Sequence, residues 1–394
     1  MKKIAFHVFL FFLTFITTTL AGAEHVTNKF WFSYRTLDPL TLADFPKGLP
    51  FSISFLLFLS FHEFGHYFAA VYHRVKCTLP YFIPLYLPLS PPTISIGSMG
   101  AIIRIQKMPD STVKIFDIGI AGPLAGFVIS LLLLVYGFTH LPSKEYLFEM
   151  NPDYIERFGH VPTEEEILEA MPENSSLFTV GNSLIYKFFE TFIANPEKVP
   201  NHFEILHYPF LFAGFITLFF TALNLLPIGQ LDGGHIAFGL FGRKVANQIS
   251  KATVIAMLVY GGLGILHFNE PLWQIKFGFY LLYLFFVVSS LVKSKDIRIM
   301  SLLILLILSL QQLIQLYWEE AEGHLLWLIF ALIAVKWIGV EHPPVEYEIP
   351  LNLNRKILGY LAIVIFIISI TPKPWYFTTK KNNSNLIFSQ AHSR

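Results

Sequence analysis

Nine stretches of the chain are almost continuously apolar, at roughly residues 4–22, 50–72, 116–140, 208–228, 252–267, 273–292, 299–317, 324–340 and 356–371. A helix rises about 1.5 Å per residue, so about 20 such residues cross a hydrocarbon core about 30 Å thick. The pattern predicts an all-α polytopic membrane protein with about nine transmembrane helices, of which the fifth and ninth are short. The polar remainder is limited. Residues 141–207 form an acidic insert with 12 acids against 4 bases. In it, Thr163 followed by Glu164, Glu165 and Glu166 reads as the capped start of a short amphipathic helix. Five prolines between Leu79 and Pro92 (Pro80, Pro84, Pro88, Pro91 and Pro92) exclude a regular helix there. The β-prone runs Thr93–Ile96 and Ala101–Ile105 flank the Gly97 to Gly100 segment, which predicts a small β-hairpin after the second helix.

The chain divides accordingly. Residues 1–49 hold the first span and an external connection, and 50–140 the second span, Pro-rich loop, hairpin and third span. The polar insert is 141–207. A further core span and its broken end occupy 208–250, additional spans 251–371 and a polar tail 372–394.

Composition strengthens the membrane reading. Of 394 residues, 54% are hydrophobic and 14% charged, against about 25% charged in soluble domains. There is too little polar surface to cover the chain in water. A formal charge of +1 with no basic stripe excludes nucleic acid as a partner. The single cysteine, Cys77, excludes an intrachain disulfide and any Cys-rich metal site.

Lysine and arginine near span ends mark the cytoplasmic side. Lys2 and Lys3 therefore place the N-terminus inside. Arg74, Lys76, Arg104, Lys107 and Lys114, opposed by Asp110, do the same for the connection after the second span, and Lys293, Lys295 and Arg298 for the one after the sixth. The insert falls outside. The tail, with Lys373, Lys380, Lys381 and Arg394, also falls outside, against the rule; either the ninth stretch is not a full crossing or the count is off by one. Lys2, Lys3 and the Ala21-Gly22-Ala23 run also give the first span the form of a cleavable secretory signal.

Within the second stretch lies His62-Glu63-Phe64-Gly65-His66. Positions i and i+4 share a helix face, so both imidazoles can close on one metal with Glu63 beside them, as in zinc hydrolases. Chance would supply about 0.03 such patterns at this chain's His and Glu frequencies. Three ionisable groups in one apolar span also carry an insertion penalty of about 3 kcal/mol each, which points to function. A catalytic zinc takes three protein ligands and keeps one position open. The extended motif that would give a local third ligand is absent, because Ala69 and Tyr72 replace its Gly and His, and His73 is one step out of register. Near the predicted spans the remaining acids are chiefly Asp117 and Asp232. Asp232 lies in Asn224-Leu-Leu-Pro227-Ile-Gly229-Gln230-Leu-Asp232-Gly233-Gly234-His235, which breaks the fourth helix where it should reach the same face. His235 reads as a bystander.

With these motifs the chain resembles the site-2 protease family of intramembrane zinc metalloproteases. His62, Glu63 and His66 match the family's HExxH; Asn224, Pro227, Asp232 and Gly233 match its later motif. Thr17–Ala23, Ile96–Ala101, Ala121–Gly126 and Pro343-Pro344 resemble the branch without a PDZ domain that includes chloroplast and bacterial members. The chain departs from many members in having Gly229 and Gln230 where further prolines are usual. The resemblance favours a retained anchor over a cleaved signal for the first span. It implies one Zn2+ per chain held by His62, His66 and Asp232, with Glu63 as the catalytic base. Asn224 resembles the residue that orients substrate or the oxyanion, and Gly97 and Gly100 belong to a hairpin able to hold an extended substrate. The expected activity is hydrolysis of a membrane protein substrate, single-pass, in the lipid bilayer. The expected location is a bacterial inner membrane with the site toward the cytoplasm. The oligomeric state is left open. The rival readings are a transporter or metal carrier using intramembrane His and Asp, and a non-cleaving membrane binding protein.

Overall fold

Thirteen helices and four short strands make up the described part of the chain in a computed structural model covering residues 2–31, 39–86, 95–172, 175–266, 272–292 and 296–379. Thr93, Ile94, Pro88, Pro91, Pro92, Lys293, Lys295, Lys380, Lys381 and Arg394, all used in the sequence reading, lie outside these residues. In order come α1 (Lys2–Thr27), α2 (Leu49–Tyr72), β1 (Tyr81–Pro84), β2 (Ser98–Ile102) and α3 (Thr112–Thr139). The insert holds α4 (Leu147–Met150), α5 (Asp153–Phe158), α6 (Glu164–Ala170), β3 (Ser176–Val180) and α7 (Leu184–Phe192). There follow α8 (Pro209–Asn224), α9 (Asp232–Gly261), α10 (Trp273–Leu291), α11 (Ile297–Tyr317), α12 (Leu325–Ile333), α13 (Leu353–Ser369) and β4 (Trp375–Thr379).

Each apolar stretch carries a helix. Among the described residues, five helices are long and apolar enough to cross a membrane: Ile4–Thr27, Phe45–Tyr72, Thr112–Thr139, Trp273–Leu291 and Ile297–Tyr317. Pro209–Asn224 and Leu325–Ile338 are shorter apolar helices. The fifth stretch lies in the second half of α9, which Gly242 breaks with φ 74°. Only a residue without Cβ adopts that conformation at little cost, so the helix kinks there. Prolines start helices here, at the first turn of α2 and of α8, where the missing N–H is harmless.

The chain is mostly helical, but two small sheets correct a purely helical reading. The predicted hairpin is displaced. Thr93 and Ile94 of its expected first strand lie outside the described residues, and the strand that pairs antiparallel with Ser98–Ile102 is Tyr81–Pro84 (Tyr81 opposite Ile102, Pro84 opposite Ser98). Gly97 to Gly100 is therefore not the turn. The register shifts between Phe82 and Pro84, and Gly100 has φ 101°, so the glycine forms a bulge inside β2. Pro84 is tolerated because it ends an edge strand.

This sheet lies along α1. His7 Nδ1 is 3.0 Å from Pro80 O, the Thr17 hydroxyl donates to Gly97 O at 2.7 Å, and His25 Nε2 is 2.9 Å from Ser95 O. Threonine hydroxyls on α1 otherwise bond back to the preceding turn, which satisfies them in an apolar setting. The Thr18 and Ser52 hydroxyls, 2.6 Å apart, pin α1 to α2.

The insert is ordered by its own caps. The Thr163 N–H donates to Glu166 at 2.8 Å while the Glu166 N–H returns to the Thr163 hydroxyl, the capping box expected for α6. The Thr163 N–H holds the Glu166 carboxyl below the usual carboxylate range. The second sheet was not expected: β3 of the insert pairs with β4 of the tail, from Ser176 opposite Thr379 to Val180 opposite Trp375. The tail strand therefore lies with the insert.

Candidate metal centre

The site forms where α2 packs closely against glycines of α3, which leave room for the α2 imidazoles. Glycines at 119, 122 and 126 fall on one face of α3 and meet α2 or the start of α9. A Cβ at Gly122 would lie 2.1 Å from His66 Nε2, and one at Gly126 would lie 2.8 Å from Phe58 and 3.3 Å from His62 Nδ1. On α2, a Cβ at Gly65 would lie 2.6 Å from Ala121 O. The Ala121-Gly122-Pro123 segment thus provides close helix packing, and also the space in which the His66 ring sits.

His66 Nδ1 lies 2.7 Å from Ile118 O. A carbonyl only accepts, so Nδ1 carries the proton and the Nε2 lone pair faces inward. His62 Nε2 lies 3.1 Å from His66 Nε2. Asp232 Oδ2 is 3.5 Å from the first and 3.4 Å from the second. The three ligand atoms lie within 4.8 Å of one another, and the three residues are the group that could hold a metal ion among the described residues. His62 Nδ1 is buried and has no hydrogen-bond partner among them. Two imidazole nitrogens and a carboxylate oxygen turned toward one point suit a shared cation, and this N, N, O set fits a zinc-type metal.

Asp232 reaches the pair because its helix starts abruptly. After α8 ends at Asn224, the loop turns through Pro227 and Gly229, and Asp232 opens α9. A Cβ at Gly233 would lie 2.0 Å from Leu225 O and one at Gly234 2.3 Å from Gly229 O, so both glycines let α9 begin against its own loop. The Asn224 amide nitrogen is 3.3 Å from His62 Nε2, at the rim of the group.

Glu63 is buried and outside the three-atom group. It lines the same cavity of about 380 Å³, with His62, His66, Gly100, Asn224 and Asp232. The Ile103 backbone N–H, just past β2, lies at the Glu63 carboxylate. Gly100 is thus at the cavity, whereas Gly97 faces α1 so closely that a Cβ would lie 2.3 Å from Thr17 O.

The other polar candidates separate cleanly. Asp117 is gripped by the Arg355 guanidinium through two bonds of 2.7 Å and by His73 Nε2 at 2.8 Å, so it is not in the metal group. His73 thereby finds a partner that its register in the motif did not offer. His235 lines the cavity and its Nδ1 is 2.9 Å from His342 Nε2. Ile118, Gly122 and Gly126 were not expected as parts of the site; for the glycines the signal was small residues on one face of the span that follows HExxH, whereas Ile118 acts through its backbone carbonyl and had none.

The profile of Peptidase family M50 matches residues 50–268, more than half of the chain and inclusive of every residue of the metal group. The chain belongs to peptidase family M50. Among relatives of this M50 chain, the probable zinc metalloprotease EGY1, chloroplastic, of Arabidopsis thaliana is 32% identical over 55% of the chain and 34% of its own length. Its counterpart in Oryza sativa subsp. japonica is 29% identical over 60% and 34%. The probable zinc metalloprotease EGY2, chloroplastic, of Oryza sativa subsp. indica is 30% identical over 49% and 29%. The chain thus aligns with only about a third of the length of these relatives. No solved structure matches it.

Proposed function

We propose that this M50 chain is a site-2-type zinc metalloprotease that hydrolyses peptide bonds of membrane protein substrates in or next to the bilayer. The observation that carries the reading is the meeting of Asp232 with His62 and His66 while Glu63 remains beside the group and outside it. Bound zinc supplies Lewis acidity to the scissile carbonyl and to the attacking water. His62 and His66 would hold it through imidazole nitrogens and Asp232 through a carboxylate oxygen, one ion per chain. Glu63 takes the proton of the attacking water and delivers it to the leaving amine. Asn224, at the rim, orients the substrate carbonyl. A metal carrier has no need for a carboxylate next to the first of two histidine ligands and outside the ligand group, which favours hydrolysis over transport.

A helical substrate hides its amides in i to i−4 bonds and must unwind before attack. β2 pairs with β1 alone in this sheet, and the stretch from Gly100 to Ile103 lines the cavity. An extended substrate strand added there would run past the Glu63 carboxylate, with main-chain bonds holding the opened segment.

We read nine crossings: α1, α2, α3, α8, the second half of α9, α10, α11, α12 and α13. An odd number of crossings after α8 returns the chain to the insert's face, which the β3–β4 pairing supports. Lys373, one of the four tail charges that run against this count, is 3.7 Å from Glu322. The charge pattern puts the metal centre toward the cytoplasm of a bacterial inner membrane; the relatives are named as chloroplast proteins, so accessibility tags in the insert and after Pro343 are the check. The test of the activity is cleavage of a single-pass substrate by the purified full chain in proteoliposomes. Glu63→Gln should stop it, by more than about a hundredfold, and cleavage at the parent rate would exclude the mechanism.

A further inference from the structure

Residues 339–355, the irregular stretch between α12 and α13 together with the first residues of α13, form a strap beyond the region matched by the family profile. The strap is fastened at four points. At its start, Gly339 meets the loop that leads to Asp232: a Cβ at Gly229 would lie 1.6 Å from Gly339 O, and Gly229 has φ 45°. The Ser250 hydroxyl accepts the Gly229 N–H at 3.1 Å and donates to Val340 O at 2.6 Å, so loop and strap share one hydroxyl. Next, the His342 N–H donates to Asn247 Oδ1 at 2.8 Å while its ring meets His235. Pro343 and Pro344 then hold the strap extended. Tyr347 exchanges backbone bonds with the start of α3, donating to Asp110 O at 2.8 Å and accepting from the Thr112 N–H at 3.1 Å. Last, Arg355 grips Asp117 with a two-bond fork.

One end of the strap therefore bears on the loop that leads to the ligand Asp232, and the other on α3, which carries no ligand but supplies the carbonyl that holds one. Asp117 precedes Ile118, whose carbonyl fixes the His66 ring at 2.7 Å. The Gly229 loop ends at Asp232. The absence of a proline at 229 now has a physical reason, since neither its ring nor its φ would fit beneath Gly339.

We propose that the 339–355 strap positions the metal ligands, with Arg355 as a positioning residue acting through Asp117 and Ile118 on His66. The proposal rests on His62, His66 and Asp232 being the ligands. The experiment uses the purified full chain in detergent with Zn2+ in competition with a chelator, and Co2+ as a spectroscopic probe. Arg355→Ala should weaken zinc about tenfold, the scale of outer partners of metal ligands, and should shift the visible cobalt bands. Arg355→Lys keeps the charge but not the fork and should fall between. Lys187→Ala, which removes an ion pair of the insert, should leave both readouts unchanged. If Arg355→Ala does not fold, Arg355→Gln reads the same quantity. Parent zinc affinity and cobalt spectrum in the folded Arg355 variant would overturn the strap's role. Parent affinity in His66→Ala would instead overturn the ligand assignment, and the strap proposal with it.

Discussion

The helices that carry the metal group and those that follow α9 differ in how they meet their neighbours. In the most apolar windows of α2 and α3, 56% and 61% of residues are buried, against 28% and 17% in α10 and α11. The first pair cross through glycines whose added Cβ would strike His66 or Phe58. In the second pair Gly278 of α10 has nothing within 4 Å of an added Cβ, and the polar link is Gln311 of α11, which donates to Leu258 O at 2.9 Å and to the Tyr280 hydroxyl at 2.6 Å. Similar hydropathy therefore hides two regimes. Around the site backbone must approach imidazole, whereas between α10 and α11 the contact is apolar apart from the Gln311 amide and the Tyr280 hydroxyl it reaches.

Substitutions that add one methyl group separate the regimes. Gly122→Ala places a carbon where His66 Nε2 stands, so it should eliminate zinc retention and cleavage together; metal analysis after dialysis against a chelator reads the first. Gly126→Ala meets Phe58 at 2.8 Å and His62 at 3.3 Å. It should weaken zinc by a smaller factor, and the ranking of the two zinc affinities tests whether the cradle is graded by distance. Gln311→Leu removes donors to two buried acceptors and should lower thermal stability by about 1 kcal/mol, with zinc content and cleavage unchanged. At the far end, Gly278→Ala should be neutral or stabilising by less than about 1 kcal/mol, the helix propensity difference. A loss of zinc in the Gly278 or Gln311 variant would dissolve the distinction.

The same contrast explains what the sequence disclosed. Apolar runs and the spacing of His62, Glu63 and His66 are local signals, and the helices and the histidine pair appear where they were expected. Asp232 was reachable because Pro227, Gly229, Gly233 and Gly234 announce a broken helix end. The hairpin was misplaced because Gly97 and Gly100 suit a turn in isolation; only the pairing of Tyr81–Pro84 with β2 makes Gly100 a bulge and Gly97 a contact with α1. Arg355 with Asp117, His342 with His235 and β3 with β4 join segments far apart in the chain. No local pattern encodes such partners, since each is fixed by how the helices assemble.

The separation of ligand from base within five residues is the centre of the account. Zinc per chain should be measured on the full chain and on its Asp232→Asn and Glu63→Gln variants after dialysis against a chelator. A three-ligand open site should retain about one zinc in the parent and in Glu63→Gln, with marked loss in Asp232→Asn. Equal retention in both variants, or loss from Glu63→Gln, would contradict it.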